Sequence, residues 1–193
     1  MLMIPVQLIL LSIPTAVYVV WQRKRLGTRE ALHRMGFQGA EPRFYLIALA
    51  YAVLFFVASA ILFPLIPEEA FAHPNVSFAV LNPDQPLLSA LLGALAYQAF
   101  YIALGEEIFF RGFLGGLLFP RLPFLLANTI QALAFLLPHL LLLAVTLSFW
   151  PIVLVQFAAG WFIGLLRYRS GSILPGWLMH SLANMAPVFL LGA

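Results

Sequence analysis

The stretch LLSALLGALAYQAFYIALGEEIFFRGFLGGLL, Leu87 to Leu118, decides the fold class. It is almost wholly apolar, yet it carries Glu106, Glu107 and Arg111 near its middle. As one helix rising ~1.5 Å per residue it would be ~48 Å long, well beyond a ~30 Å hydrocarbon core. Such a helix must tilt strongly, bend or protrude, and Gly105, Gly112, Gly115 and Gly116 are candidate places for a bend or a close contact. Measured back from Pro120, Glu106 falls ~20 Å along it, near mid-membrane.

The rest of the chain is of the same kind. Hydrophobic residues make up 63% of the 193 residues and charged residues 9%, against roughly 25% charged in soluble domains. We expect an all-α, polytopic helical transmembrane bundle, one integral membrane domain over 1–193, with its motif-bearing core at about 87–192. Six spans are predicted, at 2–21, 44–66, 87–118, 122–144, 148–166 and 172–192. The first lacks a charged segment before it and a small-residue cleavage site after it, and Arg23, Lys24 and Arg25 follow at once; it reads as a retained span.

Charge separates the connections. The ten Lys and Arg residues fall on alternate ones: Arg23 to Arg43 in the first, then Arg111 and Arg121, then Arg167 and Arg169. The connection Pro67 to Pro86 holds Glu68, Glu69 and Asp84 but no Lys or Arg. By the positive-inside rule the basic connections are cytoplasmic and both termini outside, in the cell's inner (plasma) membrane. No basic patch suits nucleic acid. With no cysteine in the chain, disulfides, thiolate metal sites and cysteine nucleophiles are excluded.

Ionisable groups inside a membrane are rare, because an unpaired buried charge costs several kcal/mol or more. Here they are Glu106, Glu107, Arg111, His139 and His180. Glu107 and Arg111 are spaced i,i+4 and can pair. Glu106 points about 100° away and has no cation four residues on, which suits a general base. His139 follows Pro138 and shares a face with Phe135; Pro138 frees a backbone carbonyl where the imidazole projects. Asn128 and Gln131 either line a wet cavity or cross-link helices. His180 and Asn184, again i,i+4, could donate two hydrogen bonds to one oxygen, or could hold two helices together. The pairs Gly112/Gly116 and Gly160/Gly164 read as close-packing positions.

Taken in order, Glu106-Glu107-x-x-x-Arg111, Phe135-x-x-x-His139 and His180-x-x-x-Asn184 resemble the CPBP family, the CAAX-protease and bacteriocin-processing (ABI) intramembrane proteases. The resemblance covers about 105–185. It implies an intramembrane glutamate-type endopeptidase, in which Glu106 and His139 hold and activate water and His180 and Asn184 form an oxyanion site, with Glu107 and Arg111 in support. It implies no cofactor and a membrane-associated peptide substrate within the lipid bilayer, and leaves the oligomeric state open. Six spans are fewer than the eight or so of typical members. A zinc site from Glu106, His139 and His180 is the chemical alternative. Asp84 is the only aspartate, so an aspartyl dyad cannot be built, and HExxH and Gly-x-Ser-x-Gly are absent. The competing functions are a non-catalytic immunity or scaffold protein of the same fold, and a proton-coupled transporter, against which stands the confinement of the polar residues to the last four spans.

Overall fold

The computed structural model describes residues 5–71 and 86–191. Asp84 and His73 lie outside the described residues. The described chain is helical: α1 (Val6–Leu26), α2 (Thr28–Arg34), α3 (Pro42–Leu65), α4 (Glu68–Phe71), α5 (Leu87–Leu118), α6 (Phe124–Val145), α7 (Leu147–Ser170), α8 (Leu174–Ala183) and α9 (Ala186–Leu190). Among the described residues five helices, α1, α3, α5, α6 and α7, are long and apolar enough to cross a membrane. The chain is a polytopic helical bundle.

The sixth predicted span is corrected. The stretch 172–192 is no single crossing helix: α8 ends at Ala183, and α9 begins after Asn184 and Met185. Pro187, in the first turn of α9, has no N–H to give the carbonyl of Ala183, so the ladder stops there. At ten residues, α8 rises only ~15 Å. The first span also differs, running five residues past Trp21 to Leu26 and carrying Arg23, Lys24 and Arg25 on its last turn.

Helix α8 takes the middle of the bundle, packed against α3, α5 and α7. Its Met179 joins a core built from Phe44, Ala48, Ala52 and Phe55 of α3 and Ala159, Ile163 and Leu166 of α7. The four-residue spacing of Phe44, Ala48 and Ala52 gives α3 a narrow seam on which α8 can lie close. Outward faces are large and apolar, as with Leu46 and Val53 of α3 and Leu125 of α6, which is the arrangement lipid requires.

Helix α5 departs from regular α geometry in two π-helical segments, Tyr97–Ala103 and Glu107–Leu114. Each wider turn alters the register of the side chains that follow. The first segment receives a tertiary bond, Trp177 Nε1 of α8 donating to the Ala99 carbonyl at 2.7 Å. In α6, Pro138 tightens the helix into a 3₁₀ turn over Leu137–Leu140.

One end of the bundle is stitched by its loops. Gly36, at φ +81°, turns the chain after α2, and its carbonyl accepts from Ile173 N–H at 3.1 Å. Gln38 donates to the Gly171 carbonyl at 2.9 Å, and Ser172 donates to the Gln38 carbonyl. The basic first connection and the connection after α7 therefore share an end. Arg121 joins them, lining a groove with Arg25.

Arg167 is corrected as well. Rather than sitting in a connection, it is buried, its Nε donating to the Arg111 carbonyl at 3.2 Å and its Nη2 to the Arg34 carbonyl at 2.8 Å.

Close approach explains the glycines on α5. A Cβ on Gly105 would stand 2.9 Å from Leu8 Cα, so α1 crosses α5 there, whereas one on Gly93 meets nothing within 4 Å. Gly112 and Gly116 admit Met35 and Arg34 from the end of α2. Gly105→Ala should therefore lower the midpoint of thermal unfolding in detergent, by overpacking of about 1–3 kcal/mol. Gly93→Ala on the same helix should leave the midpoint unchanged or raise it, since alanine is the better helix former by about 0.5–1 kcal/mol.

Candidate active site

The polar residues of the three motifs converge on α8. Glu106 closes a short α-helical segment and Glu107 opens the second π-helical segment. Their carboxylates leave α5 in different directions, and the imidazole of His180 enters between them. Nδ1 lies 2.9 Å from Glu107 Oε1 and Nε2 3.5 Å from Glu106 Oε2. Behind Glu107, Arg111 Nη1 stands 3.1 Å from the same Oε1, with both side chains fully buried. Arg111 Nη2 donates to the Gly160 carbonyl at 3.0 Å. The result is a chain of four ionisable groups, Arg111–Glu107–His180–Glu106.

This alters the sequence reading in two respects. Glu106 does not stand alone: besides His180 it accepts a hydrogen bond from Gln7 Nε2 of α1 at 2.7 Å. Glu107 pairs with Arg111 as its spacing predicts, and it also fixes His180. Because Nδ1 faces a carboxylate already paired with a guanidinium, Nδ1 carries the proton and Nε2 is the nitrogen turned toward Glu106.

Small residues make room for this packing. A Cβ on Gly176, one turn before His180, would stand 3.1 Å from Glu107 Oε2. A Cβ on Gly160 would stand 2.8 Å from the Phe135 ring. Phe135, fully buried, is the hub of the apolar wall. The Arg111 guanidinium lies 4.3 Å from its ring centroid, and the rings of His139, Phe110 and His180 stand 4.9, 5.3 and 5.6 Å away. Cation–π attraction in a dry site gives Arg111 a second favourable contact besides Glu107.

His139 is held more loosely. It is half-buried, and its Nδ1 donates to the Phe135 carbonyl at 3.0 Å, while Nε2 has no hydrogen-bond partner among the described residues. It lies within electrostatic reach of Glu106, His180 and Arg111 without a direct hydrogen bond to them. Asn184 sits beyond the end of α8 and lines, with His180, a cavity of about 170 Å³ that also meets Gln98, Gln156 and Ser59. Asn128 and Gln131 resolve to cross-links: Asn128 donates to the Trp161 carbonyl at 2.9 Å and Gln131 to the Gly160 carbonyl at 3.1 Å. A Cβ on Gly164 would collide with both amides, so that glycine is a packing position as expected.

Gln7 and the cavity residues Gln98, Gln156 and Ser59 escape a search confined to ionisable groups, and Arg167 escapes one confined to the predicted spans. Scanning the spans for amides would have found the three glutamines. Among the described residues no group of three or more His, Cys, Asp or Glu is placed to hold a metal ion.

Fold and site together define a membrane-embedded helical protein with a buried acid–imidazole centre whose His180 lines a small, mainly apolar cavity bearing a few amides. Residues 87–186 match the family model described as type II CAAX prenyl endopeptidase Rce1-like, and the chain belongs to that Rce1-like family. A search of curated proteins found no match. A search of solved structures found none either. Membership makes the chain a peptidase, a hydrolase of the integral-membrane kind whose substrates are membrane-associated.

The buried pair has a measurable consequence. Arg111→Met strands the Glu107 carboxylate and should cost about 3–5 kcal/mol of stability. Glu107→Gln combined with Arg111→Met removes both charges and should recover much of that loss. Unfolding midpoints of the two variants in one detergent make the comparison.

Proposed function

We propose that the chain is an intramembrane glutamate-type endopeptidase, in which Glu106 activates water for attack on a peptide carbonyl. The observation that carries this is the clamping of one imidazole, His180, between two buried carboxylates, one of them neutralised by Arg111.

Counting charge gives the working state. Arg111 and Glu107 cancel, so neutrality leaves one proton to be shared between Glu106 and His180 Nε2. With that proton on Nε2, the centre holds a Glu106 carboxylate, which is a base, and an Nε2–H, which is an oxyanion donor. That one arrangement of the proton supplies both roles, with Glu107 held at Nδ1 on the other side of the ring.

The step follows. Water hydrogen-bonds to Glu106 and to Nε2 of His139. Glu106 takes one proton as the oxygen attacks the carbonyl carbon. The carbonyl oxygen becomes an oxyanion, received by His180 Nε2–H and the Asn184 amide. Collapse breaks the C–N bond, and Glu106 passes its proton to the leaving amine. Water is consumed, and an acid and an amine are formed. The basic end of the bundle is inferred to face the cytoplasm, with both termini outside.

The family description makes a farnesylated CAAX peptide in proteoliposomes the first substrate to try. A comparison of membrane peptides between cells making wild-type protein and cells making Glu106→Gln searches more widely. Glu106→Gln and His139→Ala should abolish product formation in folded protein, and intact turnover in either would overturn the mechanism. Asn184→Ala should lower kcat by roughly 10²–10³-fold, the usual effect of losing one oxyanion donor, with a smaller change in KM. A chelator should leave turnover unchanged; loss of activity restored by zinc would replace the glutamate-only mechanism with a metal-assisted one.

A further inference from the structure

The groove between α1 and α5 at the basic end has two distinct halves. Its body is apolar, formed by Val17 and Trp21 of α1 and Phe113 and Leu117 of α5, and it encloses about 670 Å³. Its rim carries two guanidiniums, Arg25 on the last turn of α1 and Arg121 just beyond α5. Neither has a carboxylate partner among the described residues. Arg34 and Arg43, in contrast, are paired with Glu30 and Glu41. Arg121 donates to the Leu117 carbonyl, which holds its side chain at the groove. Tyr18, beside Trp21 and Phe113 at ring distances of 6.5 and 6.3 Å, completes an aromatic corner of the kind found at the membrane–water boundary.

We propose that this groove is a binding site for an anionic phospholipid, its acyl chain along Val17, Phe113 and Leu117 and its phosphate between Arg25 and Arg121. The charge decides the occupant. Two unpaired guanidiniums at the end of an apolar channel complement a headgroup of net negative charge. A zwitterionic lipid brings the same phosphate but also a cation that the two arginines repel.

The site has a structural consequence. It bridges the two helices that meet at Gly105 and Leu8, where Gln7 reaches Glu106. A lipid seated there fastens α1 onto α5 and so holds Gln7 against that carboxylate.

The test uses purified full-length protein in a neutral detergent. Its unfolding midpoint is measured with added phosphatidylglycerol, with phosphatidylcholine and with inorganic phosphate. Phosphatidylglycerol should raise the midpoint in a saturable manner, and the other two should not. Arg25→Gln/Arg121→Gln should abolish the shift, while Lys24→Gln/Arg29→Gln, which removes the same charge outside the groove, should retain it. An equal effect from phosphatidylcholine, an equal effect from phosphate alone, or a shift that survives in the groove variant would each overturn the proposal. Stability is the readout, so the outcome is independent of the proteolytic mechanism.

Discussion

The cost of burying charge governs this structure. Arg111, Glu107, Glu106 and His180 are all nearly or wholly withdrawn from solvent, on helices whose outer faces meet lipid. No one of them is tolerable there alone, since an isolated buried ion costs several kcal/mol. Together they form a line of alternating partners whose net charge can be zero. They are carried by α5 and α8, and α1, α6 and α7 close around the same point. That crowding explains Gly105 under α1, Gly160 against Phe135 and Gly176 beneath Glu107, each a place where a β-carbon would intrude. The apolar body of the bundle is arranged around this polar line.

Much of that line is legible in the sequence, for a physical reason. In an apolar chain every ionisable residue is conspicuous, so Glu106, Glu107, Arg111, His139 and His180 could be picked out before any geometry was known. The i,i+4 pairing of Glu107 with Arg111 followed from helical spacing, and it survives the π-helical segment in which both stand. What spacing could not supply was the partner across helices. The two glutamates do leave α5 in different directions, yet they meet the same imidazole because α8 runs between them. Neutral amides were harder still. Gln7 looks like one polar residue in a lipid-facing helix until the Gly105 crossing brings it to Glu106. The break after α8 was legible in Pro187, but hydropathy averaged over a window runs straight through a proline.

The two histidines are held in the same chemical sense and to very different degrees. Each has Nδ1 committed, His180 to a carboxylate and His139 to a backbone carbonyl, so each presents Nε2. A metal-ligating histidine is commonly oriented by this same device, with its second nitrogen on a carboxylate or a carbonyl. Here it fixes which nitrogen each ring presents. His180 is locked between two acids on the central helix. His139 stands half-buried in the 3₁₀ turn at Pro138, where a ring can adjust as a substrate enters. Under the proposed mechanism this would set rigidity on the side of the oxyanion and latitude on the side of the water.

The family match runs from α5 to the start of α9 and leaves out α1 to α4. Those first helices are nevertheless joined to the centre. Thr15 of α1 donates to the Ile108 carbonyl at 3.0 Å, Gln7 donates to Glu106, and the loop after α2 is tied to the turn before α8. Helix α1 is thinly packed, with Thr15 its only buried residue among those described, and it touches the bundle chiefly along α5 and α2. Movement of α1 away from Gly105 would take Gln7 from Glu106 while Glu107, Arg111 and His180 stayed paired. The matched segment therefore contains the ionisable centre, and the segment before it supplies the amide that meets Glu106.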